Sequence, residues 1–280
     1  MTPRVVCVTG ASQGVGLAAA VAFAKAGDIV VATSRDATAA RAAVRALDAS
    51  IDVRPLDVTD QDSVDAFAAY VTDRHGRVDV VVNNAGRGFL GSTPQLGLDH
   101  FQDSLEVNFL GAMRVTKSFL PLMRRRRSGH LIAVSSIGGA VGQPFRDAYC
   151  AAKFALEGAY ESMHPVLARF GIRVSIVEPG PVSSGFTARA VQLDPGADTE
   201  LAALQRRYQA AAAAARGQSA EDAAAAVLAC ADHDDPPLRA QTSRFATRLV
   251  GLKLADVDGR AVSAMTGSWL AGNPDASDGR

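Results

Sequence analysis

Short runs of β-branched and apolar residues alternate with longer alanine-rich segments over the first two thirds of the chain. Most of the short runs are continuously apolar, which is typical of strands that are buried on both faces of a parallel sheet. The longer segments have helical character, so the pattern predicts repeated strand–helix units. We expect strands at residues 4–9, 29–34, 53–57, 78–83, 130–135 and 172–178.

These strands and the helices between them predict an α/β fold, a doubly wound parallel sheet with helices on both faces. Right-handed crossovers then place the ligand crevice at the carboxyl ends of the strands, where the strand order reverses. The sequence contains no internal repeat and no linker-like segment that would separate domains. We therefore expect a single domain over residues 1–280.

The pattern loosens in the last third of the chain, where residues 179–196 carry several Gly, Pro and Ser and an alanine-rich stretch follows at 201–215. Residues 183–216 are then either a lid over the crevice or a plain surface connection. We favour the lid, because long loops in compact domains are often functional. A short strand is expected near 238–242, and residues 272–280 are expected to be disordered.

Charge and cysteine content narrow the classes of partner. Lys plus Arg and Asp plus Glu number 29 each, so no overall field attracts nucleic acid or an anionic membrane. No segment approaches the roughly 20 apolar residues of a membrane span, and we expect small-molecule partners. The three cysteines are far apart and lack metal-ligand spacing, which predicts a reducing, cytoplasmic location without disulfides or a bound metal.

The segment TGASQGVG, residues 9–16, follows the first predicted strand and opens the first predicted helix. In that context its glycines allow a tight turn and close approach of a pyrophosphate, which the free N–H groups of the new helix can bind. A glycine-rich turn without a ligand is the alternative. The residues expected at the pyrophosphate are Gly10, Ser12, Gln13, Gly14, Val15 and Gly16.

The end of the second strand bears on the choice between NAD(H) and NADP(H). An NAD site of this kind has a carboxylate there for the ribose hydroxyls, but this chain has Ser34 followed by Arg35. A guanidinium at that position can bind a 2′-phosphate through paired hydrogen bonds, and Ser34 does not repel the phosphate. Asp36 is the counter-argument, because a different turn would bring its carboxylate to the ribose. We expect NADP(H) in preference to NAD(H).

The third and fourth strand ends complete the predicted cofactor site. Asp57 and the adjacent Val58 are expected at the adenine, although Asp57 is equally suited to the turn that follows. Asn84, Ala85 and Gly86 form a turn that lines the same crevice.

Candidate acid–base chemistry lies in DAYCAAKFALEG, where Tyr149 and Lys153 are four residues apart on one helical face. A free tyrosine has a pKa of about 10, and a neighbouring ammonium together with an oxidised nicotinamide is expected to lower it. Ser136, at the fifth strand end, can hydrogen-bond a substrate oxygen. Asn108 can hold a water that relays protons through Lys153. By itself, the Tyr–Lys spacing is common and also suits a purely structural role.

Taken together, these motifs resemble the short-chain dehydrogenase/reductase family. The similarity extends over roughly residues 4–186, and the motifs occur in the family's order. They are TGASQGVG, NNAG, the Asn108 helix, Ser136 in VSSIGG, YCAAK and PGPVSS.

The resemblance implies a Rossmann-like sheet of about seven strands and assigns roles to the site residues. It implies Tyr149 as general acid/base, Lys153 as the group that lowers its pKa and binds the nicotinamide ribose, Ser136 as the substrate-orienting hydroxyl and Asn108 in the proton relay. By the same resemblance, the residues expected to face the nicotinamide are Pro179, Gly180, Val182 and Ser184.

The segments VVATSRD, LDVTD, FALEG, VEPG and PPLR are similar to the 17β-hydroxysteroid dehydrogenase-like branch of that family. This similarity implies a lipophilic alcohol or ketone substrate and a homodimer or homotetramer. His164 and Pro165 depart from the pattern, because a proline removes a helical hydrogen bond and is expected to kink the helix. Two other hypotheses stay open, a tailoring enzyme for dehydration, isomerisation or cyclisation, and a non-catalytic NADP(H)-binding protein.

Overall fold

Repeated strand–helix units build the first two thirds of the protein. The computed structural model describes residues 2–47, 49–193, 199–214 and 217–270. In chain order, the strands are β1 (Val5–Val8), β2 (Ile29–Ser34), β3 (Asp52–Pro55), β4 (Val80–Asn83), β5 (Phe89–Leu90), β6 (Gly129–Val134), β7 (Ile172–Glu178), β8 (Val191–Gln192) and β9 (Arg239–Gln241).

The helices connect these strands and cover both faces of the sheet. They are α1 (Gly14–Lys25), α2 (Ala37–Ala46), α3 (Gln61–His75), α4 (Leu98–Leu105), α5 (Gly111–Arg126), α6 (Asp147–Ala168), α7 (Thr199–Ala214), α8 (Ala220–Asp232), α9 (Arg244–Ala255) and α10 (Arg260–Ser268). A π-helical turn at Glu106–Leu110 joins α4 to α5, and short 3-10 turns lie at Ile137–Gly139 and Thr187–Arg189.

Within the described residues, seven parallel strands form one sheet in the order β3-β2-β1-β4-β6-β7-β9. The strand order reverses between β1 and β4, where Val6 pairs with Val30 on one side and with Val80 on the other. The predicted doubly wound sheet is therefore confirmed, and the predicted strand near residues 238–242 is β9. The topology places a crevice at the carboxyl ends of β1 and β4.

Alternating side chains of the strands feed two cores, one on each face of the sheet. In β1, Val5 and Cys7 pack on the face covered by α3, α5 and α6, whereas Val6 and Val8 pack on the face covered by α1 and α8. All four side chains are at most 2 % exposed. Burial on both faces explains why this strand is continuously apolar in sequence.

Three features differ from the sequence pattern or add to it. A small parallel sheet of β5 and β8 was not predicted, because each of its strands has only two residues. The helix α6 is continuous through His164 and Pro165 and ends at Ala168, so the proline does not interrupt it. Within the described residues, none of the helices combines the length and apolar character needed to cross a membrane.

The region predicted as a lid contains the 3-10 turn, β8 and α7. Hydrogen bonds from the backbone N–H groups of Val191 and Leu193 to the carbonyls of Gly88 and Leu90 join it to the segment after β4. Residues 194–198 and 215–216, and the predicted disordered tail at 272–280, lie outside the described residues.

Candidate functional site

The glycine turn after β1 has the backbone conformation that the sequence predicted. Gly10 and Gly14 have φ angles of 66° and 58°, a region that side-chain-bearing residues rarely adopt. A Cβ atom on Gly10 would lie 2.7 Å from Cα of Ala85, so the turn after β4 packs directly on this glycine. The two strand ends therefore form one continuous wall of the crevice.

Thr9 and Asn84 join these two turns by hydrogen bonds. The Thr9 hydroxyl accepts hydrogen bonds from the backbone N–H groups of Asn84 and Ala85, both at 3.0 Å. In return, the Asn84 amide donates to the carbonyls of Thr9 and Gly10 at 2.9 and 3.1 Å. A Cβ on Gly16 would lie 2.3 Å from the Asn84 amide nitrogen, so any other residue here would have to displace that amide. Sequence reasoning missed Thr9, whose role depends on contacts with a distant turn.

The amino end of α1 is open to an anion. Gln13 precedes the helix without a side-chain hydrogen bond to it, and the first turn contains no acidic residue. The first N–H groups of the helix and its positive dipole end therefore face the crevice without a carboxylate to compete with an anion. Ser12 and Val15, also predicted here, are half-buried beside the turn. These residues fit the pyrophosphate of a nicotinamide dinucleotide.

The end of β2 places three side chains in different environments. Ser34 is buried, and Arg35 is exposed to solvent. The Asp36 carboxylate accepts a hydrogen bond of 2.9 Å from the backbone N–H of Ala39 and caps α2. A capping carboxylate is engaged by its own helix, which weakens the argument that Asp36 binds a ribose.

Asp57 and Val58 follow β3 along the same edge. Asp57 accepts hydrogen bonds of 2.9 and 2.7 Å from the backbone N–H and hydroxyl of Thr59. Although desolvation acts in the opposite direction, these bonds and the charge of Arg35 lower the pKa of Asp57. The side chain thus holds its own turn, which was the alternative to an adenine contact. Val58 is buried and lies against Gly111.

The structure brings Ser136, Tyr149 and Lys153 together. The Ser136 hydroxyl lies beside the phenol of Tyr149 and acts to lower its pKa, and that hydroxyl also accepts from the backbone N–H of Gly138 at 3.0 Å. The ammonium of Lys153 lies 5.9 Å from the centre of the Tyr149 ring and donates to the carbonyl of Val134 at 2.9 Å. The turn after β6 and one face of α6 therefore position the three groups.

Burial dominates the ionisation of these groups. Desolvation raises the pKa of Tyr149 to about 12, although the nearby Arg146 guanidinium and the Ser136 hydroxyl act to lower it. In the protein by itself, burial outweighs the neighbouring dipoles and charges. The sequence predicted a lowered phenol pKa together with an oxidised nicotinamide, and that stays a prediction. Desolvation lowers the pKa of Lys153 to about 8, whereas the charge of Glu157 acts to raise it.

Asn108 lies in the π-helical turn between α4 and α5, a type of irregularity that is frequent at functional sites. Its amide nitrogen donates to the carbonyls of Arg87 and Ser104 at 3.0 and 3.1 Å, and its amide oxygen accepts from the backbone N–H of Arg87 at 3.0 Å. A Cβ on Gly86 would lie 2.7 Å from that oxygen. The side chain therefore fixes the turn after β4, and its part in a proton relay stays a prediction.

The loop after β7 closes another side of the crevice. The carbonyl of Pro179 accepts a hydrogen bond of 2.9 Å from the backbone N–H of Ile137, next to Ser136. Ser184 lies against the glycine turn, since a Cβ on Gly14 would be 3.2 Å from its Cβ. Gly180 and Val182 lie between these points. Pro179 and Ser184 therefore lie at the crevice, whereas Gly180 lies against α9 and Val182 is bridged to Gln218. The contact of all four residues with a nicotinamide stays a prediction.

An apolar wall that sequence reasoning missed covers Tyr149. The Phe186 ring lies 5.9 Å from the Tyr149 ring, and both pack in a cluster with Phe89 and Val191. The Arg146 guanidinium is 5.9 Å from the Tyr149 ring and donates to the Tyr208 hydroxyl at 3.1 Å. These contacts join the predicted lid region to the chemical centre, and nothing in the local sequence pattern indicates them.

Comparisons with known proteins agree with this geometry. The family model described as short chain dehydrogenase matches residues 4–194. Human retinol dehydrogenase 8 is 39% identical over 273 residues, which cover 92% of this chain and 87% of the relative. Human 17-beta-hydroxysteroid dehydrogenase type 1 is 44% identical over 200 residues, which cover 68% of this chain and 60% of the relative. The predicted resemblance to the hydroxysteroid dehydrogenase branch is confirmed.

Solved structures give the same result. A short-chain dehydrogenase from Streptomyces avermitilis superposes with a TM-score of 0.82 at 34% identity, covering 97% of this chain and 99% of that one. A metagenomic short-chain oxidoreductase in complex with NADP superposes with a TM-score of 0.67 at 28% identity, covering 85% of this chain and 96% of that one.

Proposed function

Because the chain belongs to the short-chain dehydrogenase family, we propose that it is an NADP(H)-dependent oxidoreductase that interconverts a ketone or aldehyde and an alcohol on a lipophilic substrate. The observation that carries the proposal is the convergence of Ser136, Tyr149 and Lys153 beside an open helix end. When bound, the nicotinamide supplies or accepts the hydride.

In this mechanism, the protein side chains bind, orient and move a proton. The Ser136 hydroxyl, which lies beside the phenol, orients the carbonyl oxygen of the substrate next to Tyr149. Tyr149 then donates its proton to that oxygen during reduction and accepts it during oxidation. Lys153 places a positive charge within 5.9 Å of the ring and stabilises the phenolate that remains after reduction. The apolar cover of Phe186 excludes water from this step.

The preference for NADP(H) is supported by the end of β2. Arg35 is exposed and has no ion pair among the described residues, so its guanidinium is available to a 2′-phosphate. Asp36, the acidic competitor in sequence, caps α2. The NADP complex of a relative with the same fold agrees with this proposal.

A lipophilic substrate is supported by the apolar wall over the phenol. Phe89, Phe186 and Val191 surround the approach to Tyr149, and such surfaces favour apolar ligands. Retinol and hydroxysteroid dehydrogenases are among the most similar relatives. We also propose that residues 183–216 act as the lid that selects the substrate, because this region carries Phe186 and Val191.

Nicotinamide absorbance with a panel of apolar ketones and secondary alcohols tests the proposed reaction. We expect Tyr149→Phe to lose activity by at least about a hundredfold while it retains NADPH binding, because the phenyl ring preserves packing and removes only the transferable proton. Tyr70→Phe is the matched control, since Tyr70 contacts Asp52 and Arg54 far from the crevice. A Tyr149→Phe protein with the activity of the wild type would overturn the mechanism.

We further propose a homodimer or homotetramer in the cytoplasm. The apolar side chains of Phe154 and Val166 on α6 are 41 and 58 % exposed, which favours a second copy over these positions. Cys7, Cys150 and Cys230 are free and buried, as a reducing compartment allows. Light scattering of the purified protein tests the assembly, since a monomer at micromolar concentration would contradict it.

A further inference from the structure

Three sequence segments carry charged residues that the proposed mechanism does not use, and these residues meet near Lys153. FALEG carries Glu157, VEPG carries Glu178 and PPLR carries Arg239. These segments indicated a branch of the family by resemblance alone, and they lie up to 82 residues apart in sequence. In the structure, they form one buried ionic network next to the candidate catalytic residues.

The network is buried and fully hydrogen-bonded at its carboxylates. The side chains of Glu157 and Glu178 are 3 and 0 % exposed. Arg239 donates to Glu157 and, at 3.2 Å, to Glu178, while Gln241 donates to Glu178 at 2.5 Å. The hydroxyl of Ser135 donates to Glu157 at 2.6 Å. A site with this many partners for two carboxylates keeps at least one of them ionised.

The helix α6 connects this network to the reaction. Tyr149, Lys153 and Glu157 follow each other at intervals of four residues, so they occupy one face of the helix. Lys153 bonds the carbonyl of Val134 at 2.9 Å, and Glu157 bonds the side chain of the next residue, Ser135. Both charged groups are therefore anchored to consecutive residues at the end of β6, directly before the substrate-orienting serine.

The charges of this cluster balance only when Glu157 is counted. Lys153 and Glu157 lie one turn apart on α6, and Arg239 pairs with both Glu157 and Glu178, so two positive and two negative charges meet in this region. Without the charge of Glu157, one buried positive charge is left uncompensated, which is costly in a low-dielectric interior. Lys153 can remove that positive charge by losing its proton. Glu161, the remaining partner of Arg239, is 60 % exposed and is screened by water.

Burial and the neighbouring charges shift the pKa of both groups. Desolvation lowers the pKa of Lys153 to about 8, and the charge of Glu157 opposes that shift. Desolvation and the charge of Glu178 raise the pKa of Glu157, while the Ser135 hydroxyl and Arg239 oppose that shift. The hydrogen bond from Ser135 and the ion pair with Arg239 thus favour the ionised form of Glu157, and an ionised Glu157 in turn favours the charged form of Lys153.

We propose that Glu157 is a positioning residue that acts as the buried counter-ion of Lys153 and keeps its ammonium charged while Tyr149 exchanges a proton with the substrate. The consequence for catalysis rests on the proposed function, but the charge state of Lys153 does not. Charged or titratable neighbours of the pair are Tyr149 and Glu161 on α6, Glu178 on β7 and Arg239 on β9. Their contribution is separated from that of Glu157 by the control described below.

The sequence makes a direct test practical, because it contains only four lysines, Lys25, Lys117, Lys153 and Lys253. Labelling lysine with carbon-13 at Cε gives four NMR signals, each of which reports the ionisation of one ammonium group. The Lys153 signal is assigned by its loss in Lys153→Arg. In Glu157→Gln, which preserves side-chain shape and one of the two acceptor oxygens, we expect the pKa of Lys153 to fall by about one pH unit or more.

Glu161→Gln is the matched control, because it removes a carboxylate from the same helix and from the same arginine. The pKa of Lys153 should stay at its wild-type value in this variant. An unchanged Lys153 pKa in Glu157→Gln would overturn the proposal. An equal fall in both variants would also overturn it, because the effect would then belong to Arg239 and not to a specific counter-ion.

If Glu157→Gln does not fold, Ser135→Ala tests the same relation by removal of one hydroxyl. Loss of its hydrogen bond favours the neutral form of Glu157, so the Lys153 pKa should fall, though less than in Glu157→Gln. An unchanged Lys153 pKa in Ser135→Ala would then count against the proposal. In the active enzyme, Glu157→Gln should shift the pH dependence of kcat/KM. A lower rate with an unshifted pH profile would indicate a structural role only.

Discussion

The exposed Arg35 gives the sharpest test of cofactor choice, because its replacement should affect one dinucleotide and not the other. Its side chain makes no ion pair among the described residues, and Asp57 is the acidic group that senses its charge. Hydrogen bonds to charged groups contribute about 1.5–3 kcal/mol, whereas exposed ion pairs contribute about 0.2–1 kcal/mol. A solvent-exposed guanidinium on a phosphate lies between these ranges. We therefore expect Arg35→Ala to weaken NADPH binding by about 1.4 kcal/mol, or tenfold.

Calorimetric titration of both reduced cofactors measures this difference. NADH lacks the 2′-phosphate, so its affinity should change little in Arg35→Ala, and the ratio of the two affinities should fall about tenfold. Arg45→Ala is the control for net charge, because Arg45 is an exposed arginine in the last turn of α2, the helix that follows Arg35. Equal weakening of NADPH and NADH in Arg35→Ala, or tighter binding of NADH than NADPH by the wild type, would refute the assignment.

Two further predictions concern stability. Gly16→Ala places a Cβ 2.3 Å from the Asn84 amide nitrogen, so it should displace the two hydrogen bonds that this amide donates. We expect the free energy of unfolding, measured by urea denaturation, to fall by about 1–3 kcal/mol. Calorimetric titration should show weaker NADPH binding. Burial lowers the pKa of His130 from 6.5 to about 3, so neutral His130 stabilises the fold above pH 6.5. The contribution of His130 to the free energy of unfolding should be lost at about 1.4 kcal/mol per pH unit as the pH falls below 6.5. Urea unfolding of His130→Gln should lack this part of the pH dependence.

The fold could be predicted because a strand that is buried on both faces of a sheet has a continuous run of apolar residues in its sequence. The strands β1, β4 and β6 lie inside the sheet, and their uninterrupted apolar residues distinguish them from the surrounding helices. Residues that follow such strands must meet at one edge, which is why Gly10, Asn84 and Ser136 could be placed together without coordinates. The roles assigned to them by resemblance still await the experiments above.

Contacts between distant segments could not be predicted in the same way. Thr9 follows a strand like any other turn residue, and only its 3.0 Å bonds to the turn after β4 reveal that it joins two walls of the crevice. The pairing of β5 with β8 involves two residues on each side, too few to produce a periodic pattern. The contact of Phe186 with Tyr149 likewise joins two segments that are distant in sequence, so no local sequence pattern indicates it.

The ionisation of Tyr149 shows why a motif alone does not determine the pH at which a site works. The four-residue spacing from Tyr149 to Lys153 specifies which groups meet, and together with an oxidised nicotinamide it predicts a lowered phenol pKa. In the protein by itself, burial raises that pKa to about 12 and lowers the pKa of Lys153 to about 8. A negative charge near a buried ammonium opposes this desolvation and favours the protonated form. The one carboxylate that occupies the next position on the same face of α6 is Glu157, so the residue that completes the acid–base site lies outside the motif that identifies it.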